Sequence, residues 1–130
     1  MIGLEDLESY LLRTELEHEE ISEGIWAVHP SAGEEEQLPA IVVNHAPPVV
    51  VLRSDVQRAP EDSEEQRELF GRLLELNATE VVHGAYGLEN GQILLSDTLE
   101  LADLDFSEFQ ASIESIALAL ASYKQNFETD

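Results

Sequence analysis

The sequence contains no cysteine, and this absence excludes three kinds of chemistry. Without thiols the chain has no disulfide, no thiol nucleophile and no thiolate metal site. Long apolar runs are also missing, since no stretch approaches the roughly 18 apolar residues that a membrane span needs. The amino terminus, which begins Met1-Ile2-Gly3, lacks the basic and apolar regions of a signal peptide. We therefore expect a soluble, cytoplasmic protein.

Positive charge is scarce. Six Lys and Arg residues stand against 28 Asp and Glu residues, which gives a formal net charge of −22, and Lys124 is the only lysine. Such a field repels phosphate backbones and anionic lipid headgroups, so neither nucleic acid nor a membrane surface is an expected partner. Two explanations stay open: the charge serves solubility or adaptation to high salt, or it attracts a basic partner.

The remaining composition is that of a folded protein. The 130 residues suffice for one domain over residues 1–130, and 43% of them are apolar, so the acidity does not indicate disorder. Hydrophobic periodicity and β-branched runs predict the elements of the amino-terminal half. They are a helix from Leu4 to about Arg13, a strand from His18 to His29, an exposed acidic loop over 31–37, and strands over 40–44 and 49–56 joined by a turn at Pro47 and Pro48.

Two helices and a hairpin are predicted in the second half. Ser63, with Gln66 three residues later, resembles a capping box that starts a helix, and Asn77 is a plausible left-handed stop for it. The final helix starts at Asp105, which forms a capping box with Glu108. Its apolar residues recur at spacings of three and four and so form one buried face: Phe106, Phe109, Ile113, Ile116, Leu120, Tyr123 and Phe127.

Asn90-Gly91 is the clearest local signal, because both residues tolerate positive φ and favour a type I′ hairpin turn. A two-residue loop pairs Leu88 with Ile93, Tyr86 with Leu95, Gly84 with Asp97 and Val82 with Leu99. One face of this hairpin is apolar. The opposite face is smaller and more polar and carries His83, Ala85, Gly87, Leu94, Ser96 and Thr98. The element order, helix-βββ-helix-ββ-helix, indicates an α+β fold with a twisted, mostly antiparallel sheet and helices packed on it.

Four segments carry a family resemblance: residues 70–77 (FGRLLELN), 83–88 (HGAYGL), 90–92 (NGQ) and 99–105 (LELADLD). With the element order, they resemble the type III secretion chaperone-like superfamily, which includes the Tir chaperone (CesT) and YbjN-like families. The resemblance implies a small acidic homodimer that binds other proteins, often an unfolded segment of an exported client. It also implies that the middle helix contributes to the dimer contact, which here means Leu69, Phe70, Leu73 and Leu74.

Three functions are compatible with these patterns. The first is a non-enzymatic chaperone-like or adaptor protein, with Trp26, His83 and Leu94 as possible partner-binding residues, although a large aromatic such as Trp26 is more often core. The second is a YbjN-like regulatory protein of a stress or envelope response without a secreted client. The third is a metal-assisted hydrolase. Because no histidine shows the spacing of a metal helix and no catalytic motif is present, we expect no metal, no cofactor and no enzyme.

Overall fold

The computed structural model describes residues 1–30 and 37–127. Within these residues, three helices and six strands form in the order α-ββββ-α-ββ-α. The helices are α1 (Leu4–Thr14), α2 (Ser63–Thr79) and α3 (Phe106–Phe127). The strands are β1 (Glu17–Ser22), β2 (Ile25–His29), β3 (Ile41–Ala46), β4 (Val49–Arg58), β5 (Ala85–Glu89) and β6 (Gln92–Glu100). The predicted α+β class is confirmed.

All six strands form one antiparallel sheet in the order β1-β2-β3-β4-β6-β5. The sheet has one strand more than predicted before α2, because the single strand expected over 18–29 is a hairpin. Its chain turns at Glu23 and Gly24, where Gly24 has φ +79°. The predicted turn at Pro47 and Pro48 does join β3 to β4. The predicted acidic loop lies outside the described residues except for Gln37.

A hydrophobic core lies between one face of the sheet and the three helices. Along β4, Val50, Leu52 and Ser54 are buried in alternation with more exposed neighbours, as a half-covered sheet requires. The helices add Leu7 and Leu11 from α1, Leu73 from α2 and the stripe of α3. Five of the seven predicted stripe residues are buried: Phe109, Ile113, Ile116, Leu120 and Tyr123. Phe106 and Phe127, at the two ends of α3, are partly exposed.

The helix starts follow local chemistry. The Asp105 carboxylate accepts from the Glu108 amide at 2.8 Å, and the Asp105 amide donates to the Glu108 carboxylate at 3.1 Å, so the predicted capping box is present. The first of these hydrogen bonds is the main cause that lowers the pKa of Asp105, which is fully exposed. At α2 the cap lies one residue earlier than predicted, because Asp62 and not Ser63 accepts from the Glu65 amide at 3.0 Å.

The hairpin of β5 and β6 has the predicted register near its turn. Leu88 pairs with Ile93 and Tyr86 with Leu95. The two outer pairs are wrong, because β5 begins only at Ala85 and Val82 is 79% exposed. Leu99 pairs instead with Val50 of β4.

No helix among residues 1–30 and 37–127 is long and apolar enough to cross a membrane.

Candidate functional site

The predicted dimer residues of α2 divide between the core and the surface. Leu73 is 5% exposed and belongs to the core, and Leu69 and Phe70 are partly buried against that core. Leu74 is 68% exposed. Because neighbouring positions of a helix point about 100° apart, the core holds Leu73 while Leu74 is available for an external contact.

An apolar cleft lies beside Leu74, between α2 and the edge strand β5. Its volume is about 220 Å³. Leu74 and Leu88, which are 68% and 53% exposed, stand at this cleft, and Leu73, Tyr86 and Ile93 line its inner part. We call it the α2–β5 cleft. Two large exposed leucines beside one apolar depression are typical of a contact surface between proteins.

Asn77 attaches α2 to β5 at this cleft. Its side-chain amide donates to the Tyr86 carbonyl at 3.2 Å and accepts from the Tyr86 amide at 2.7 Å. It therefore pairs with the edge strand as a neighbouring backbone would. The expectation that Asn77 ends the helix in a left-handed conformation is wrong, since α2 continues to Thr79 and the side chain of Asn77 is used for this contact.

Replacing Asn77 with alanine will lower the free energy of unfolding by about 2 kcal/mol, because both polar backbone groups of Tyr86 lose a partner in a partly buried place. Urea unfolding followed by circular dichroism measures the change. Thr79→Ala is the matched control. Its hydroxyl donates only to the Glu75 carbonyl of its own helix, so its loss will cost less than about 0.5 kcal/mol. Equal effects of the two variants would contradict the role of Asn77.

The three residues predicted to bind a partner lie in different surroundings. Trp26 is 2% exposed in the core, so it is unavailable as a surface contact, and its interpretation as a core residue is correct. Leu94, on the sheet face away from the helices, is only 7% exposed. His83 is exposed, and its backbone is bound to Ser115 of α3. The structure therefore does not bring the three together, and His83 alone presents its side chain to solvent.

A second, larger groove is lined by His83 and by residues for which the sequence predicted no binding role. It has a volume of about 610 Å³ and lies between α3 and the segment that follows α2. Val82 and Leu118, which are 79% and 72% exposed, are its large apolar side chains. Leu118 lies off the buried stripe of α3. A large apolar side chain on the side of an amphipathic helix that faces away from the core is the signal that would have identified it.

Tyr86, which lines the α2–β5 cleft, also contacts α3. Its ring lies 6.1 Å from that of Tyr123, and its hydroxyl donates to the Ala119 carbonyl at 3.4 Å. Burial and, secondarily, the negative charge of Glu80 raise the pKa of Tyr86 to about 12. The hydroxyl therefore stays protonated at neutral pH and acts as a structural donor.

The cations of the chain are used within its own fold. Arg13 lies over the Phe106 ring at 3.9 Å and Arg72 over the Phe127 ring at 4.1 Å. Arg53 contacts two carboxylates, Arg67 contacts Glu64, and Lys124 donates to the Gln37 carbonyl. Five of the six cations thus have an intramolecular contact, while most of the 28 acidic residues have no cation to pair with. The surface field is therefore strongly negative.

Metal chemistry has no evident centre in the described part of the chain. Residues 1–30 and 37–127 contain no group of three His, Cys, Asp or Glu side chains that could hold an ion. The four histidines have separate surroundings: His18 bonds the Leu16 carbonyl, His29 lies 3.7 Å from Glu19, His45 has a buried Nε2, and His83 is at the surface.

Comparisons with known proteins agree with this geometry. The CesT_Tir_1 family profile matches residues 3–129. No curated protein matches. The fold is similar to a chain in the heterodimeric ExoU–SpcU complex from the type III secretion system of Pseudomonas aeruginosa, with a TM-score of 0.65, 9% identity and coverage of 89% of this chain and 93% of that chain.

Two further solved structures share the fold. YbjN from E. coli, described as a candidate transcription regulator, gives a TM-score of 0.65 at 10% identity, with coverage of 95% of this chain and 93% of that one. A chain of the HopA1–SchA chaperone–effector complex gives 0.62 at 10% identity, with 96% and 99% covered. The similarity extends over nearly the whole of each chain, so it concerns the complete fold and not a shared substructure.

Proposed function

Because the chain belongs to the CesT_Tir_1 family, we propose that it is a non-enzymatic, chaperone-like or adaptor protein that binds a protein partner. The observation that carries this proposal is the family match over residues 3–129, which spans every helix and strand. Two of the structures with this fold are complexes described as ExoU–SpcU and as a chaperone–effector pair. The exposed leucines and the acidic surface supply what such binding requires, namely apolar contact area and long-range attraction for a basic segment.

Our proposal includes a homodimer formed through the α2–β5 cleft. Leu74 and Leu88 are exposed in one copy, and a second copy related by twofold symmetry would cover the same patch on both. Leu69 and Phe70 would support the contact from beneath, because they pack on the core beside it. The net charge of −22 opposes self-association, so the apolar contact must be large enough to overcome that repulsion.

Affinity capture tests the function directly. The tagged protein is incubated in native lysate, washed, eluted with a salt step and analysed by mass spectrometry. We expect one stoichiometric protein that salt releases, because screening weakens attraction by the acidic field. Tag-bearing beads without the protein are the control. The proposal fails if the eluate is empty and an apolar dye also does not bind to the purified protein, since the protein would then have neither a partner nor exposed apolar surface.

A second candidate is a regulatory protein without a secreted client. The observation in its favour is the similarity to YbjN, whose TM-score of 0.65 equals that of the ExoU–SpcU chain. Deletion of the gene separates the two functions. Altered transcription without any physical client would favour regulation, whereas loss of one captured protein would favour the chaperone-like role.

A further inference from the structure

Two serines of α3 bind the segment that forms the other wall of the larger groove. The Ser115 hydroxyl accepts from the His83 amide at 2.9 Å and donates to the His83 carbonyl at 3.0 Å. Two helical turns further along the same face of α3, the Ser122 hydroxyl donates to the Glu80 carboxylate at 2.7 Å. The segment from Glu80 to His83 is thus attached to α3 at both ends. We call the space along this side of the helix the α3 groove.

Apolar side chains in the α3 groove face solvent. Val82 and Leu118 are 79% and 72% exposed, and Ala111 and Ala121 flank Leu118 on the same side of the helix at spacings of seven and three. Alanines on either side of a leucine let another chain approach the helix closely. Neither Val82 nor Leu118 contributes to the core. Folding of the single chain therefore does not explain why these two exposed positions carry large apolar side chains.

The charge around the groove has one sign. Glu80 and Glu114 lie among the lining residues, and that lining includes no lysine or arginine. A partner must therefore place apolar groups against Leu118 and Val82 while its neighbouring charges meet two carboxylates. Basic residues satisfy this condition, whereas acidic ones would be repelled.

Resting on the proposed protein-binding function, we propose that the α3 groove binds a short apolar segment of a partner protein that is flanked by basic residues. From Ala111 to Gln125 the helix rises about 21 Å, which accommodates about six residues of extended chain. A second copy of this protein is a poorer occupant, because it would bring its own Glu80 and Glu114 towards the same carboxylates and carries the same net charge. The segment is thus recognised by apolar contact in the middle and by charge at its ends.

Fluorescence anisotropy with two synthetic probes tests the proposal. One peptide has leucines in its centre and lysines at both ends, and the other has the same centre with glutamates in place of the lysines. The full-length protein will bind the lysine peptide, more weakly as salt is added, and will not bind the glutamate peptide. Leu118→Gln will weaken binding by about tenfold or more, since a central apolar contact is lost. Leu12→Gln is the matched control, because Leu12 is also exposed, at 69%, but lies on α1.

Each outcome decides the proposal. Loss of affinity in Leu118→Gln and in Val82→Gln, with native circular dichroism and unchanged binding by Leu12→Gln, supports it. Equal binding by all three variants, or binding of both peptides by the wild type, overturns the proposal about the α3 groove. The proposed protein-binding function would still stand if a partner was captured from lysate. Failure of the wild type to bind the lysine peptide also overturns it. If Leu118→Gln turns dimers into monomers in sedimentation, the groove is a self-contact and the proposal is wrong.

Discussion

Glutamate in place of Leu73 will unfold the domain, whereas glutamate in place of the next residue, Leu74, will leave it folded and monomeric. Leu73 is 5% exposed within the core, so a carboxylate there loses its hydration without gaining a partner, at a cost of several kcal/mol. Leu74 is 68% exposed, and the same carboxylate stays in water in the single chain. In a dimer formed through the α2–β5 cleft, however, it would be buried opposite its own symmetry copy.

Circular dichroism and sedimentation velocity separate these results. The wild type is expected to sediment as a dimer, Leu74→Glu as a monomer with native helix content, and Leu73→Glu as unfolded or aggregated material. Leu12→Glu controls for charge at an exposed leucine and will leave the dimer intact. A folded dimer in Leu74→Glu would place the subunit contact elsewhere. A folded, stable Leu73→Glu would contradict the assignment of that residue to the core.

Alanine at Gly84 will destabilise the fold by about 2–4 kcal/mol, through two effects that add. Gly84 has φ +87°, a conformation that residues with a Cβ seldom adopt, and the new Cβ would lie 2.6 Å from the Ser96 carbonyl oxygen. That oxygen belongs to the backbone of β6, so it cannot rotate away as a flexible side chain would. Either β5 shifts along its partner or the segment from Val82 to Gly84 detaches.

Gly71→Ala is the matched control for this substitution. Gly71 lies within α2, and apart from its two chain neighbours and the backbone of its own helix, no described heavy atom lies within 4 Å of the position its Cβ would occupy. Alanine there will be neutral or will stabilise by up to about 1 kcal/mol, because it reduces the conformational freedom of the unfolded chain. Urea unfolding of both variants gives the comparison. Similar free energies of unfolding for the two would show that the backbone around Gly84 relaxes easily, contrary to our expectation.

The sequence predicted the parts of the fold that local chemistry specifies. Asn90-Gly91 sets the register of the last hairpin, and the pairs Leu88–Ile93 and Tyr86–Leu95 form as expected. The prediction extended that register too far, to Val82. What ends the strand is distant in sequence: the Ser115 hydroxyl binds both polar backbone groups of His83 and turns the segment towards α3. Contacts of this kind leave no periodic signal in the segment itself.

Glycine and asparagine caused the other errors of the fold prediction. Alternating apolar residues on both sides of Gly24 suggested one continuous strand, but its φ of +79° allows a two-residue turn that the alternation conceals. The prediction placed Asn77 at the end of α2 in a left-handed conformation, which is common for asparagine. In the structure its side-chain amide instead hydrogen-bonds to Tyr86 of β5, nine residues later. In both cases the residue type was informative, but its partner is set by tertiary structure.

The candidate site was less predictable than the fold, because exposure depends on all elements together. The apolar residues of α2 were identified by their spacing, yet only the packed structure separates Leu74 at the surface from Leu73 in the core. The sequence permits Trp26 as a binding anchor while favouring a core position, and only the packed structure shows that it is buried. Leu118 was not predicted, because it falls outside the spacing of three and four that marks the buried stripe of α3.

The amide of Asn77 also limits how copies of this protein can join through their sheets. Fibrous growth by strand addition requires two open edges per molecule, so that each copy can pass the pairing on to the next. At β5 the outward-facing polar groups of Tyr86 are already bonded to Asn77, so a strand that pairs along the whole of β5 must first displace that side chain. Strand addition through both edges of the sheet is thereby disfavoured. The side chain that attaches α2 to the sheet thus also protects an edge beside two exposed leucines from pairing with another chain.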